Sequence, residues 1–294
     1  MSRPVITAPG LYPDIDEDWY HADCMQGGSL SVSGAKLLLP PSCPYLFDWH
    51  RTHGKRSKSM DTGTRVHALV LGKGEEHLQM LGYDNYLTKK AQADKRAAIA
   101  AGKIPTLPHE MAEAKLIAGA VFADPEARSL LDTVTDTELS GFWRDEEHGI
   151  TLRMRVDALG WRDRPGIFDV KTTADASPAG FAKSIAEYRY DMQDRHYREG
   201  LAAILSDTPG ELTADDVDFL FIAVQTAEPH LVMVYELGAD DHERADESNR
   251  IARATYAACS ARGTWPKWSE SAMELSLPYY RAKQIERDIN DYYS

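Results

Sequence analysis

The chain has 294 residues, 43% hydrophobic and 27% charged, with a formal net charge of −13. That is enough apolar material for a sizeable core, and the acidic balance excludes a surface coated in basic residues for non-specific nucleic-acid binding, though not a local basic groove. No run approaches the roughly 18 apolar residues of a membrane span. MSRPVITAPGLYPD lacks the basic and apolar regions of a signal peptide, so a cytoplasmic location is expected. Cys24, Cys43 and Cys259 are widely spaced with no CxxC pair, which argues for reduced thiols and against a disulfide framework or a zinc site.

The first 29 residues, rich in Pro, Asp and Tyr, show no clear period and read as an irregular arm. LSVSGAKLLLPPSCPYLFDWHR then offers a cap at Ser31 or Ser33, a short apolar helix, a Pro-Pro break and an aromatic second helix. After a polar loop, DTGTRVHALVLGKG predicts a helix with Thr64 as N-cap and Gly72 as its stop. Residues 86 to 106 hold the most concentrated basic segment, with Lys89, Lys90, Lys95, Arg96 and Lys103 on a helix. PHEMAEAKLIAGAVFADPEARSLL predicts a further helix, broken near Pro125.

From residue 137 the period changes to two. TELSGFWRD, GITLRMRVDALG and GIFDVKTT read as three strands with turns at DEEHG and WRDRPG. A helix over roughly 178 to 205, the strands DFLFIAVQ and LVMVYELG, a helix over about 239 to 262 and an aromatic tail with a final helix complete the order. This pattern predicts an α/β fold with a central mixed β-sheet flanked by helices. There is no linker composition and no internal repeat, so one domain with decorations is expected.

Strand alternation puts Ile167, Asp169 and Lys171 on one face of GIFDVKTT and Phe168 and Val170 on the other. In TLRMRVDAL, Arg153, Arg155 and Asp157 oppose Leu152, Met154 and Val156. A hairpin through WRDRPG brings Asp157 beside Asp169. Two carboxylates with an adjoining main-chain carbonyl, that of Val170, suit a hard divalent cation, and a nearby lysine would orient a water or stabilise charge on a phosphate. The bland alternative is a salt bridge at a strand end. His67 reads equally as a satisfied histidine on the apolar face of its helix, and Glu138 as a solvated carboxylate. Gln193 and Tyr197, four residues apart, share one helix face and read as a packing stripe or a polar pair.

As an ordered set, LSVSGAKLLL, GTRVHALVLG, ELSGFW, RMRVDAL, FDVKTT and YRYDMQDRHYREG resemble the PD-(D/E)XK nuclease superfamily. Within it they are most similar to the RecB-like branch and its exodeoxyribonuclease VIII (RecE-like) members of phages and prophages. The resemblance implies a restriction-endonuclease-like core, with one nuclease domain over 30–294, a catalytic core near 60–262, helical decoration before it and a tail after it. It also implies that Asp157 and Asp169 ligate Mg²⁺ (or Mn²⁺), with His67 and Glu138 at the metal and Lys171 as the signature lysine. Gln193 and Tyr197 would stand beside the site against the lysine or the DNA. Arg153 and Arg155 would contact phosphates or pair with carboxylates. No proline precedes Asp157, and the second acid is aspartate rather than glutamate.

The expected activity is exonucleolytic digestion of linear duplex DNA from its 5′ ends, leaving 3′ single strands. The resemblance further implies a single-strand annealing recombinase as partner, a homo-oligomer able to close into a ring, and a bacterial host cytoplasm. Rival readings are an endonuclease, a single-strand nuclease of the same branch, or a catalytically silent DNA-binding or assembly module. Three scattered cysteines argue against an iron-sulfur cluster.

Overall fold

A seven-stranded mixed sheet organises the chain in the computed structural model, which describes residues 5–13, 15–53, 62–208 and 210–293. In chain order, β1 (Gly10–Tyr12) and α1 (Glu17–His21) precede β2 (Leu30–Ser31), α2 (Val32–Leu37) and α3 (Pro44–His53). Next come α4 (Thr62–Leu71), β3 (Leu78–Met80), α5 (Lys89–Ala100), β4 (Ile104–Thr106), α6 (Pro108–Ala123) and α7 (Pro125–Leu131). The strands β5 (Val134–Asp145), β6 (Ile150–Trp161) and β7 (Pro165–Thr173) form an antiparallel meander. A crossover through α8 (Pro178–Tyr188) and α9 (Tyr190–Leu205) returns the chain to β8 (Asp218–Gln225), which pairs parallel to β7. After β9 (Val232–Tyr235) come α10 (Ala239–Arg262) and α11 (Tyr279–Tyr293). The sheet order is β1-β5-β6-β7-β8-β9, with β2 also pairing to β6.

Alternation along the strands feeds two hydrophobic layers. On one face Met154, Val156, Ile167 and Phe221 pack against Ala35, Phe181, Met192, Leu201 and Ala252 from α2, α8, α9 and α10. On the other, Phe168, Val170, Ile222 and Val224 meet Val66, Ile117 and Leu130 from α4, α6 and α7. The approach of α9 to the sheet depends on Gly200, where a Cβ would lie 2.7 Å from the Trp143 ring.

Three sequence expectations change. The N-terminal arm is not irregular throughout, because β1 pairs with β5 and Ile6, Ile15, Tyr20 and Met25 cluster around Phe142. Thr64 lies inside α4 rather than capping it, whereas Gly72, at φ +66, does end it. The polar loop expected before α4 falls largely on residues 54–61, outside the described residues. The single helix expected over 178 to 205 is two, broken at Arg189, whose φ of +52 lies in the left-handed region that no helix continues through. Of the two candidate caps for α2, Ser31 accepts from the Gly34 N–H at 3.2 Å. Among the described residues no helix is long and apolar enough to cross a membrane.

Candidate active site

The sheet forks at its middle, and the fork creates the site. β6 pairs with β7 only from Trp161 and Pro165 down to Ala158 and Phe168, and pairs with β2 through Leu152 and Arg153. Asp157 and Asp169 are the next facing residues beyond the last β6–β7 rung. With the ladder open, the Val170 N–H has no backbone partner on β6 and donates instead to Asp157 Oδ2 at 3.2 Å. The N–H and C=O of one strand residue leave on the same edge, so the Val170 carbonyl also faces the fork. The polar groups that would have closed the sheet are thereby gathered around two carboxylates.

Asp169 is buried, with Lys171 Nζ 2.6 Å from its Oδ2 and Gln193 Nε2 donating to its Oδ1 at 2.7 Å. Oδ2 is thereby held by the Lys171 ammonium in an ion pair. Burial pushes the Asp169 carboxyl up to about 6, with Asp157 adding to the rise and Lys171 opposing it. Burial would lower Lys171, but the Asp169 and Asp157 charges outweigh it and hold its ammonium above the usual lysine value. The Lys171 ammonium also lies 4.7 Å from the centroid of the Tyr190 ring, a cation–π distance.

His67, presented by α4, places Nε2 2.9 Å from Asp157 Oδ2 and Nδ1 3.3 Å from Glu138 Oε1. Burial disfavours the imidazolium, yet the two carboxylates raise His67 to about 9. Burial likewise works to raise Asp157, and His67 reverses that to leave it below its ordinary value. Glu138 sits at φ +54, a break in the regular strand. Its other oxygen accepts from Arg155 Nε at 2.8 Å. Asp157, His67, Glu138 and Arg155 thus form a chain of alternating charge along one wall of a cleft of about 800 Å³.

The structure separates the two arginines. Arg155 lines the cleft but also donates to Ile15 O and Ser140 Oγ. Arg153, expected as a phosphate contact, is buried beneath the N-terminal arm, where it pairs with Asp23 at 2.8 Å and donates to Ser29 O. Those groups absorb its charge, and it does not line the cleft. Tyr197 does line the cleft and packs edge-on against Phe219. Sequence reasoning missed Lys36 and passed over Tyr190. Lys36 stands alone in the apolar run GAKLLL, the one signal that singles it out. Its Nζ donates to Tyr188 O at 2.8 Å and lies 5.7 Å from the Tyr190 ring centroid. Burial and the neighbouring Lys171 charge lower Lys36 to about 8.

Among the described residues no group of three or more His, Cys, Asp and Glu side chains forms a ready metal cage. What is present suits a hard divalent cation in kind: two facing carboxylates, one of them buried, and a main-chain carbonyl at an open strand edge. Mg²⁺ commonly takes one or two carboxylates and keeps several waters, so such a set fits it. His67 and Glu138, expected at the metal, contact each other, and His67 also contacts Asp157, so both stand beside the same carboxylate.

A comparison with curated proteins finds no match. The fold is similar to a crystal structure described as a "putative exonuclease" from Eubacterium rectale, with a TM-score of 0.57 and 13% identity, over 90% of this chain and 95% of that one. The likeness is one of fold, a mixed sheet flanked by helices. A family model described as "PDDEXK-like domain of unknown function (DUF3799)" matches residues 42–277. The stretch holds β5 to β9, α4 and α9, and with them every carboxylate, histidine and lysine of the fork, so the chain belongs to this PDDEXK-like family.

Proposed function

We propose that the protein is a Mg²⁺-dependent deoxyribonuclease, with Mn²⁺ able to substitute, that cuts phosphodiesters at the forked sheet. The observation that carries this reading is the open rung, where Asp157 and Asp169 face each other beside the unpaired edge of Val170, with Lys171 alongside. Asp157, Asp169 and Val170 would hold the ion. When bound, it supplies Lewis-acid stabilisation of charge on the phosphoryl oxygens and a water acidified enough to attack phosphorus in line.

The chain's own groups do the rest. Gln193 fixes Asp169 through Oδ1 and leaves Oδ2 directed at Lys171. Lys171, held against Asp169 and the Tyr190 ring, carries a positive charge where negative charge develops on the phosphate. His67 ties Asp157 to Glu138, and Arg155 and Tyr197 contribute to the wall along which the substrate strand would lie.

Resemblance of the motifs to exodeoxyribonuclease VIII, and the exonuclease description of the structural relative, support a finer reading. In it the substrate is a linear duplex digested from its 5′ ends, the 3′ strands pass to a single-strand annealing recombinase, and the setting is a bacterial cytoplasm. A ring of copies would hold DNA by topology, which suits a chain of net charge −13. Linear and circular duplexes incubated with magnesium or chelator, beside Asp169→Ala and Lys171→Ala, test this. Degradation of linear DNA alone, abolished by chelator and by either substitution, is expected. Cutting of circles would replace the exonuclease with an endonuclease, and no cleavage would leave a DNA-binding module.

A further inference from the structure

Beyond the fork, the cleft continues into a second cavity of about 430 Å³ between the end of β7 and α8. The two share Lys171, Thr172, Tyr188 and Tyr190 in their walls, so the residues nearest the reacting phosphate form the neck between them. Tyr190 is fixed at that neck: Lys171 lies over its ring, Lys36 lies 5.7 Å from the ring centroid, and Phe221 packs at 5.8 Å. Tyr188 stacks on it, with ring centroids 5.5 Å apart and planes at 28°. The Arg189 residue between them adopts the left-handed conformation, which ends α8 and starts α9 at this point. Lys36 clamps the turn further by bonding to the Tyr188 carbonyl.

The outer tyrosine is 54% exposed. It is therefore a rigid aromatic ring, backed on one side and open on the other, beside the lysine assigned to the scissile phosphate. A phosphodiester at Lys171 carries a base on either side, and an unpaired base within reach of Tyr188 meets a flat partner. Such stacking is sequence-tolerant, because every base has a π face.

We propose that Tyr188, supported by Tyr190, is a base-stacking subsite for the unpaired nucleotide adjoining the scissile phosphate, with the second cavity as the path of the strand beyond it. This rests on the nuclease reading above. What the subsite takes is an unpaired base, in a single strand or freed at the end of a duplex, since stacking on a side chain requires a base that has left its own stack.

Two readouts test the subsite. Oligonucleotides carrying one 2-aminopurine near the cut position are mixed with the full protein in chelator, where base fluorescence reports stacking without cleavage. Quenching by wild type and by Tyr188→Phe, and its loss in Tyr188→Ala, is expected. In magnesium, Tyr188→Ala should raise KM by about 5- to 150-fold, the range of one lost stacking contact, with kcat changed much less. Replacing the stacked base with an abasic site should penalise wild type but add little to Tyr188→Ala. Unchanged quenching in Tyr188→Ala, or abasic and alanine penalties that add in full, would overturn the subsite while leaving the nuclease intact. Failure of wild type to cut any DNA would overturn the nuclease reading and the subsite with it.

Discussion

Two buried acid–base pairs lie on either side of α9's N-terminal half, and their surroundings make them opposites. Asp194 and Arg198 meet at 2.6 Å, both almost wholly buried. The arginine also bonds to the carbonyls of Val217 and Phe219 and to Glu236, tying α9 to β8 and to the segment after β9. Asp169 and Lys171 also meet at 2.6 Å, but here the lysine is partly exposed and stands in the cleft wall. The guanidinium fork suits permanent cross-linking, and the ammonium is a mobile point charge. The first pair therefore serves the scaffold that aims Gln193 and Tyr197, and the second is left free for chemistry.

Substitution should affect the two pairs in opposite ways. Lys171→Ala and Asp169→Asn should lower DNA cleavage by about 10²–10⁴-fold with folding retained, as judged by rates beside thermal melts. Arg198→Met leaves Asp194 as a buried charge without its partner and should cost about 3–5 kcal/mol in urea unfolding. Cleavage per folded molecule in the cold should then stay near wild type. Loss of activity without loss of stability in Arg198→Met would place that pair in the chemistry instead.

Smaller effects sharpen the scaffold side. Gly200→Ala drives a methyl into the Trp143 ring and should destabilise by about 1–3 kcal/mol in the same unfolding assay. His196, buried against Trp143 with its Nε2–H donating to Arg153 O, is lowered to about 3 by burial and then by the Arg253 charge. Its unfolded form takes up a proton near 6.5 while the folded form stays neutral. Its contribution is thus fully present above the unfolded value and is lost as pH falls toward 3, at up to roughly 1.4 kcal/mol per pH unit. His196→Gln should flatten that part of the stability–pH curve, and an unchanged slope would remove His196 from it.

What could be read in the sequence was local. The alternation of GIFDVKTT and TLRMRVDAL, with the WRDRPG turn between them, implied that Asp157 faces Asp169, and the strands carry that register. The helix break at Arg189 was hidden because a left-handed arginine has no compositional signal, unlike the glycine at Gly72. Arg153 looked available because its partners, Asp23 and Ser29, lie more than a hundred residues earlier, in an arm without periodicity. The grouping of Lys36, Tyr188 and Tyr190 at Lys171 depends on the same kind of distant packing, as α2 reaches the α8–α9 turn. Pairing of neighbouring strands is a short-range property, whereas the second layer around a site is assembled by tertiary contacts.

The central claim is that Asp157 and Asp169 jointly hold a divalent cation at the open rung. Manganese titrated into the protein and followed by electron paramagnetic resonance reads that directly, without substrate. Wild type and Lys171→Ala should both bind the ion, while Asp157→Asn and Asp169→Asn should each lose it. Undiminished manganese binding in both asparagine variants would contradict the assignment.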